Sequence, residues 1–444
     1  MDVMYLDGQR MPNKGLVNLS AESYQLPLDL VSRHIAWNES EFPSFELPSD
    51  KLGGAADAVL DCGAVGDGHA DDTRALQGCL DKFRAVFLPK GLYRISSTLQ
   101  LNPLNALVGL SQTLSVIAAS STGFGQHRSN ESKAQSHQPL IRTSNGSQNV
   151  IAFLGITTWW HLPFVYALDW RSRNGLWRNN YETRVCECLW LTNYHNQTVD
   201  PPCRPATNLS APKTLIRGTG SFYNLVHDED ILFTEHAHYR HILVVNNSVS
   251  PKDRLRLYQL NLEHSLSEAN AELSFARHVD MYGIKMEGST PILWIRDSHD
   301  INLYGLGGAS DAFPNASAYP SDFAAYQPAL FRIERTDVFK LANLMSEGRG
   351  REGQAPRPIG PWPLTPKLLS VYRWPEADVQ PIIQSFWTRW EGWAVPPSEW
   401  HMLLEADGVN KSLMLTRVLD RPVLYARGYP CPASLSAELQ TYSD

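Results

Sequence analysis

Two glutamates, Glu263 and Glu287, have the type and spacing for bond-cleaving chemistry. Between Tyr258 and Glu287 the chain reads as strand, turn, strand. Tyr258, Leu260 and Leu262 alternate with polar residues up to Glu263-His264, and Val279, Met281 and Ile284 lead to Glu287 and Gly288. Two carboxylates at adjacent strand ends are a minimal set for acid/base work on a glycosidic bond, one giving a proton to the leaving oxygen and one assisting the nucleophile. The ordinary use of a Glu pair is solvated surface, so the neighbourhood decides.

Other residues offer other chemistry. Trp160, in Trp159-Trp160-His161, and Trp294 supply rings for a sugar subsite, or equally for core packing. Glu235, His236, His238 and His241 alternate as metal ligands on one strand face do. No further Cys or carboxylate pattern supports zinc, so neither metal nor cofactor is expected. Lys285 and Arg296 suit a polysaccharide lyase, in which a base takes a proton and a cation neutralises a uronate, but no Asp cluster of the calcium type accompanies them.

The elements that must carry these residues follow from the rest of the chain. Of the 444 residues, 43% are hydrophobic and 19% charged, which is ordinary for a globular protein with a large core. A net charge of −7 argues against nucleic acid or an anionic membrane as partner. No apolar run reaches membrane-spanning length, and the first residues lack the hydrophobic region of a signal peptide. Nine N-x-S/T sequons point instead to a secretory origin, and six cysteines are too few for a disulfide scaffold, so the compartment stays open between secreted and cytoplasmic.

Residues 1–55 are Pro-punctuated and read as a wrapping or linker segment. From Val59 the text changes to strand, Gly-rich turn, helix, strand, turn, strand. Asp71 or Asp72 is the natural N-cap, and Ala75, Leu76, Cys79 and Leu80 form the helix's apolar face. Cys62 and Cys79 are placed to meet, as a disulfide or as packed thiols, the latter being the commoner use of buried cysteine. Further on, His278–Gly283 matches Asp300–Gly305 at an offset of 22 residues, with Asp337–Ala342 a looser third copy. A period in the low twenties with alternation inside each copy fits one solenoid coil per repeat. Residues 56–347 therefore read as the solenoid and 348–444 as a Pro- and Trp-rich extension. There Trp387, Trp390 and Trp393 share a helical face, and Leu413–Val418 with Val423–Arg427 reads as a hairpin. The extension is read as a lid over the solenoid's open edge.

The run DCGAVGDGHADDTRALQGCLD with VFLPKGLYRISSTLQL resembles the opening motif of right-handed parallel β-helix carbohydrate enzymes, in which the helix caps the first coil. Over residues 55–345 the order of features resembles glycoside hydrolase family 55, the exo-acting β-1,3-glucanases, and specifically the second of that family's two tandem β-helices. The matching features are Gly123-Phe124-Gly125 before Pro139-Leu140, His227-Asp228-Glu229-Asp230, Glu263-His264, and Glu287 24 residues on. The resemblance implies an all-β, right-handed parallel β-helix acting as an inverting glycoside hydrolase on a β-glucan. It makes Glu287 the general acid and Glu263 its neighbour or base, with Asp228 and Asp230 as further base or subsite acids. His264, Trp160, Trp294 and Lys285 are then the substrate-binding candidates. The sequence departs from the family where Lys285-Met286 replaces Gln-Thr before the acid; a lysine pointing into the site would favour the carboxylate and oppose an acid role. The expected partner is a polysaccharide, met by a monomer. A uronate lyase and a non-catalytic glycan-binding β-helix are the alternatives.

Overall fold

The computed structural model describes residues 2–6, 9–10, 55–124, 137–159, 162, 164–185, 212–227, 240–248, 250–263, 269–287, 292–307, 329–344, 401–406, 414–417 and 421–427. Among them the strands form a twenty-stranded sheet, here sheet A, and a ten-stranded sheet, here sheet B. One coil shows the plan. Ala271–Ser274 is a rung of sheet B, and Arg277–Glu287 then runs through two successive rows of sheet A. Each rung pairs in parallel with the same rung of the next coil. The chain is thus an all-β parallel β-helix, wound in the right-handed sense that parallel crossovers take.

Alternation explains the winding. Leu255, Val279, Ile301 and Phe339 are register partners on successive coils, as are Leu257, Met281, Leu303 and Leu341, and all eight are buried. Inward residues of each coil stack on those of the next, so the core is one continuous column. The corners have their own signature. Asn246, Phe275, Asp297 and Arg335 each follow a sheet B strand with φ between 42° and 52°, turning the chain into sheet A. Gly283 and Gly305, at φ 60° and 81°, bend it between the two rows, the conformation that costs glycine least.

The 22-residue repeat pairs Val279 with Ile301 and Tyr282 with Tyr304. The third copy sits one residue off its string match: Asp337 faces His299 and Phe339 faces Ile301. A one-residue slip exchanges faces, and this register is the one that buries Phe339 and Leu341. Tyr258–Glu287 is likewise more than strand, turn, strand, because the sheet B rung Ala271–Ser274 intervenes between Asn261–Glu263 and Arg277–Glu287.

The opening helix spans Thr73–Lys82 and buries Leu76, Cys79 and Leu80 against the first coils, with Asp72 at the N-cap position. Asp72 makes no cap bond; its carboxylate accepts the N–H groups of Val65 at 2.6 Å and Gly66 at 3.1 Å, fastening the preceding loop. Gln77 hydrogen-bonds both backbone groups of Gln100, on the first strand of sheet B, and so satisfies an edge that would otherwise stay open. Cys62 and Cys79 form a disulfide with Cα atoms 5.5 Å apart, which corrects the packed-thiol expectation. The helix brings Cys79 to the loop that carries Cys62 at a bridgeable separation.

At the other end, His401–Ala406 adds a parallel rung to sheet B, and Met414–Arg417 pairs with it antiparallel. Arg421–Arg427 joins sheet A, antiparallel to Asp337–Leu344 and parallel to Asp2–Leu6. The two segments expected to form a hairpin therefore belong to different sheets. The tryptophan cluster between 362 and 400 lies outside the described residues.

Candidate functional site

Glu263 ends the strand Asn261–Glu263 and Glu287 ends Arg277–Glu287, and the two are register partners on neighbouring coils. Leu262 and Met286 are buried, so the alternating residues Asn261, Glu263 and Lys285 lie on the outer face. Lys285 Nζ donates to Glu263 Oε1, and the ammonium is half-exposed while the carboxylate is nearly buried. The lysine that marks the departure from family 55 is thus bound to Glu263. Asp228, Asp230, His264 and Trp160 lie outside the described residues.

A buried polar chain backs this corner. Glu182, His227 and Leu262 are successive members of one inward file. Glu182 accepts from Thr214 and pairs with His227 at 2.8 Å, both Glu182 and His227 being fully buried. The His227 ring meets His241 edge-on at 5.4 Å, and His241 Nε2 donates to the Glu263 carbonyl at 2.6 Å. The motif His227–Asp230 therefore opens on a residue that builds the interior. His241 is part of the same structure, and no group of three His, Cys, Asp or Glu among the described residues is placed to hold a metal.

Trp294 is not brought to the glutamate pair; it lies in sheet B, in register between Glu272 and Arg332. Three guanidiniums stand over its ring, Arg332 at 4.5 Å, Arg296 at 4.7 Å and Arg240 at 5.8 Å. With 9% of its surface exposed, the ring is covered by arginines and is no open platform for a sugar. Beneath the arginines, buried Glu272 pairs with Arg240 and with Arg296 at 2.7 Å, and Glu334 pairs with Arg332. Three coils earlier on the same face, buried Asp169 holds Arg142 at 3.1 Å, Arg171 at 2.8 Å and Arg217 at 3.8 Å. Tyr166, Leu215, Leu243 and Val245 form an apolar saddle between the two clusters. Burial and the Asp169 charge push the Tyr166 phenol up to about 12, so it stays neutral. Arg240 and His241 are consecutive, so the glutamate corner and the sheet B face share one strand end.

Sequence reasoning missed Asp169, Glu272 and Glu334. The available signal was a single charge inside an apolar strand, as in Leu168-Asp169-Trp170, Ala271-Glu272-Leu273 and Ile333-Glu334.

The outer face of sheet A is built differently. Tyr223, Tyr258, Tyr282 and Tyr304 stack in a ladder with centroids 4.7, 5.0 and 5.3 Å apart. Beside it Arg254 bridges Asp280 and Asp300 at 2.5 Å each, His278 pairs with Asp300 at 2.8 Å, and Asn302 donates to Asp280. Burial pushes the Asp300 carboxyl up, but hydrogen bonds and charge from Arg254 and His278 outweigh it and hold it well below the usual range. Burial lowers Lys340, the outermost member of this file, against the opposing pull of Asp300 and Asp280.

The fold and its two outer faces define a parallel β-helix with a carboxylate corner and an arginine-bearing face. In comparison with known proteins, residues 58–159 match the family model for rhamnogalacturonase A/epimerase, pectate lyase-like. That stretch holds the opening motif and the first coils, and the matching model is pectate-lyase-like rather than that of glycoside hydrolase family 55. Among solved structures, a 1,3-α-1,4-β-D-galactose-4-sulfate-3,6-anhydro-D-galactose-2-sulfate 4 galactohydrolase is similar at 11% identity and TM-score 0.37, over 69% of this chain and 77% of the other. Gene product 12 of bacteriophage phi29 is similar at 13% identity and TM-score 0.40, over 66% and 42%. PfbA, a surface adhesin of Streptococcus pneumoniae, is similar at 11% identity and TM-score 0.30, over 65% and 82%. No curated protein sequence matches the chain.

Proposed function

We propose that the protein is a secreted, monomeric glycoside hydrolase that uses the corner at Glu263 and Glu287. The observation that carries this is their register: two glutamates from separate coils meet side by side at strand ends, next to the loops that lead into sheet B. Glu287 acts as general acid, giving its proton to the glycosidic oxygen as the bond breaks. Adjacent rungs are about 4.8 Å apart, short of the roughly 6.5–9.5 Å that an inverting pair keeps for its water. Glu263, bound to Lys285, is therefore assigned to orienting charge at the corner, and the base falls to Asp228 or Asp230. The resemblance to family 55 makes β-1,3-glucan, cut from a chain end with inversion, the finer form of the proposal. Secretion is supported by the disulfide and the nine sequons.

A second reading, cleavage of a uronate-containing glycan by a lyase, draws on one observation: Arg296 and Arg332 lie flat on Trp294, where guanidiniums can face a carboxylate. Incubation with laminarin and with polygalacturonate separates the two. The hydrolase yields reducing sugar from laminarin, and Glu287→Gln lowers the rate by about 10²–10⁴-fold, the usual share of a general acid. Unsaturated-uronate absorbance from polygalacturonate would overturn the hydrolase, and binding without cleavage of either would leave a glycan-binding β-helix.

A further inference from the structure

We propose that the outer face of sheet B is a binding track for an anionic glycan, its arginines gripping carboxylate or sulfate groups along the polymer. The inference deepens the glycan-directed reading above and rests on it, but it uses none of the corner's carboxylates.

The layering of charge makes the case. Asp169 and Glu272 have side chains only 1% exposed, whereas Arg142, Arg171, Arg217 and Arg296 are 33%, 33%, 48% and 36% exposed. The acids lie beneath and the guanidiniums above. A buried carboxylate occupies one edge of each guanidinium and fixes its plane, leaving the remaining N–H groups for an outside oxyanion. Six arginines over three carboxylates leave this face positive on a chain whose net charge is −7. Trp294 holds its arginines flat by cation–π contact, and its own Nε1–H is buried without a hydrogen-bond partner among the described residues.

The geometry suits a polymer. The two arginine clusters are three coils apart, about 14 Å at strand spacing, and the apolar saddle between them offers Tyr166 and Leu215 to the apolar face of a sugar ring. One coil rises by about the length of one pyranose residue, so a chain laid along the solenoid axis meets equivalent positions on successive coils. Charge complementarity selects the occupant: a neutral glucan leaves the guanidiniums without a partner, and a polyanion does not.

The test is affinity electrophoresis of the full chain in gels containing polygalacturonate, dextran sulfate or laminarin. Retardation by one or both polyanions is expected, weakening steeply as salt is raised, with the responding gel telling carboxylate from sulfate ester. Arg296→Gln should weaken it at least fivefold. Arg217→Gln, at the far cluster and half-exposed, should weaken it about threefold and serves where the first variant fails to fold. Arg277→Gln, exposed at the start of a sheet A strand, should leave it unchanged. The proposal is overturned if neither polyanion retards the protein, if laminarin retards it equally, or if the three variants respond alike. Laminarin cleavage reads the corner separately. Its loss with polyanion binding retained strikes the hydrolase reading alone, and the reverse pattern strikes this one alone.

Discussion

The outer faces of sheet A and sheet B use the same residue types in opposite layers. On sheet A, Arg254 is 15% exposed and held between Asp280 and Asp300, and the tyrosines cover one another's faces. Each group there is satisfied by its neighbours on the next coil. On sheet B the carboxylates are buried and the guanidiniums outermost, so part of each arginine's hydrogen-bonding capacity points away from the protein. The difference teaches how to read charge on a solenoid. Arginine beneath acid stitches coils together, whereas arginine above acid presents a receptor.

The comparison can be broken in several places. The largest effect is expected beneath both faces. Glu182→Leu leaves His227 and Thr214 unpartnered in the core and should cost about 3 kcal/mol or more, read as a lower urea midpoint. On sheet A, Arg254→Gln leaves two carboxylates without their shared cation and should cost about 2–3 kcal/mol.

The same cluster sets a pH dependence. Because Asp300 is held below its unfolded value, its contribution is fully present above about pH 4. It is lost as pH falls toward the lower folded value, so acid unfolding should begin below about pH 4. Asp300→Asn should flatten the thermal midpoint's dependence on pH in that window. Tyr282→Leu, which interrupts the ring ladder, should cost about 1 kcal/mol. The smallest stability effect belongs to sheet B: Arg296→Gln, partly exposed and with Arg240 still on Glu272, should change stability by no more than about 1 kcal/mol.

Much of the fold was legible because the chain writes it locally. The repeat of His278–Gly283 in Asp300–Gly305 set the coil length, and the opening motif placed the helix that begins at Thr73. The register of Glu263 and Glu287 followed from the same alternation. The sheet B face was not legible, because its members are single charges within apolar strands at irregular intervals. Glu272 and Trp294 are 22 residues apart and Asp169 and Leu215 are 46, and only the ladder brings them into one file. The disulfide was hidden for a similar reason: the 17-residue separation of Cys62 and Cys79 carries no pairing information until the helix closes it. Lys285 was legible as an anomaly, but its partner, Glu263, depended on the register.

The most direct test of the division between the faces is a paired measurement on Arg254→Gln and Arg296→Gln, recording the urea midpoint and the retardation by polygalacturonate and dextran sulfate. The first variant should lose stability and keep its polyanion binding, and the second should lose binding and keep its stability. If both lose stability alone, or both lose binding alone, the layering of charge does not separate structure from function in this solenoid.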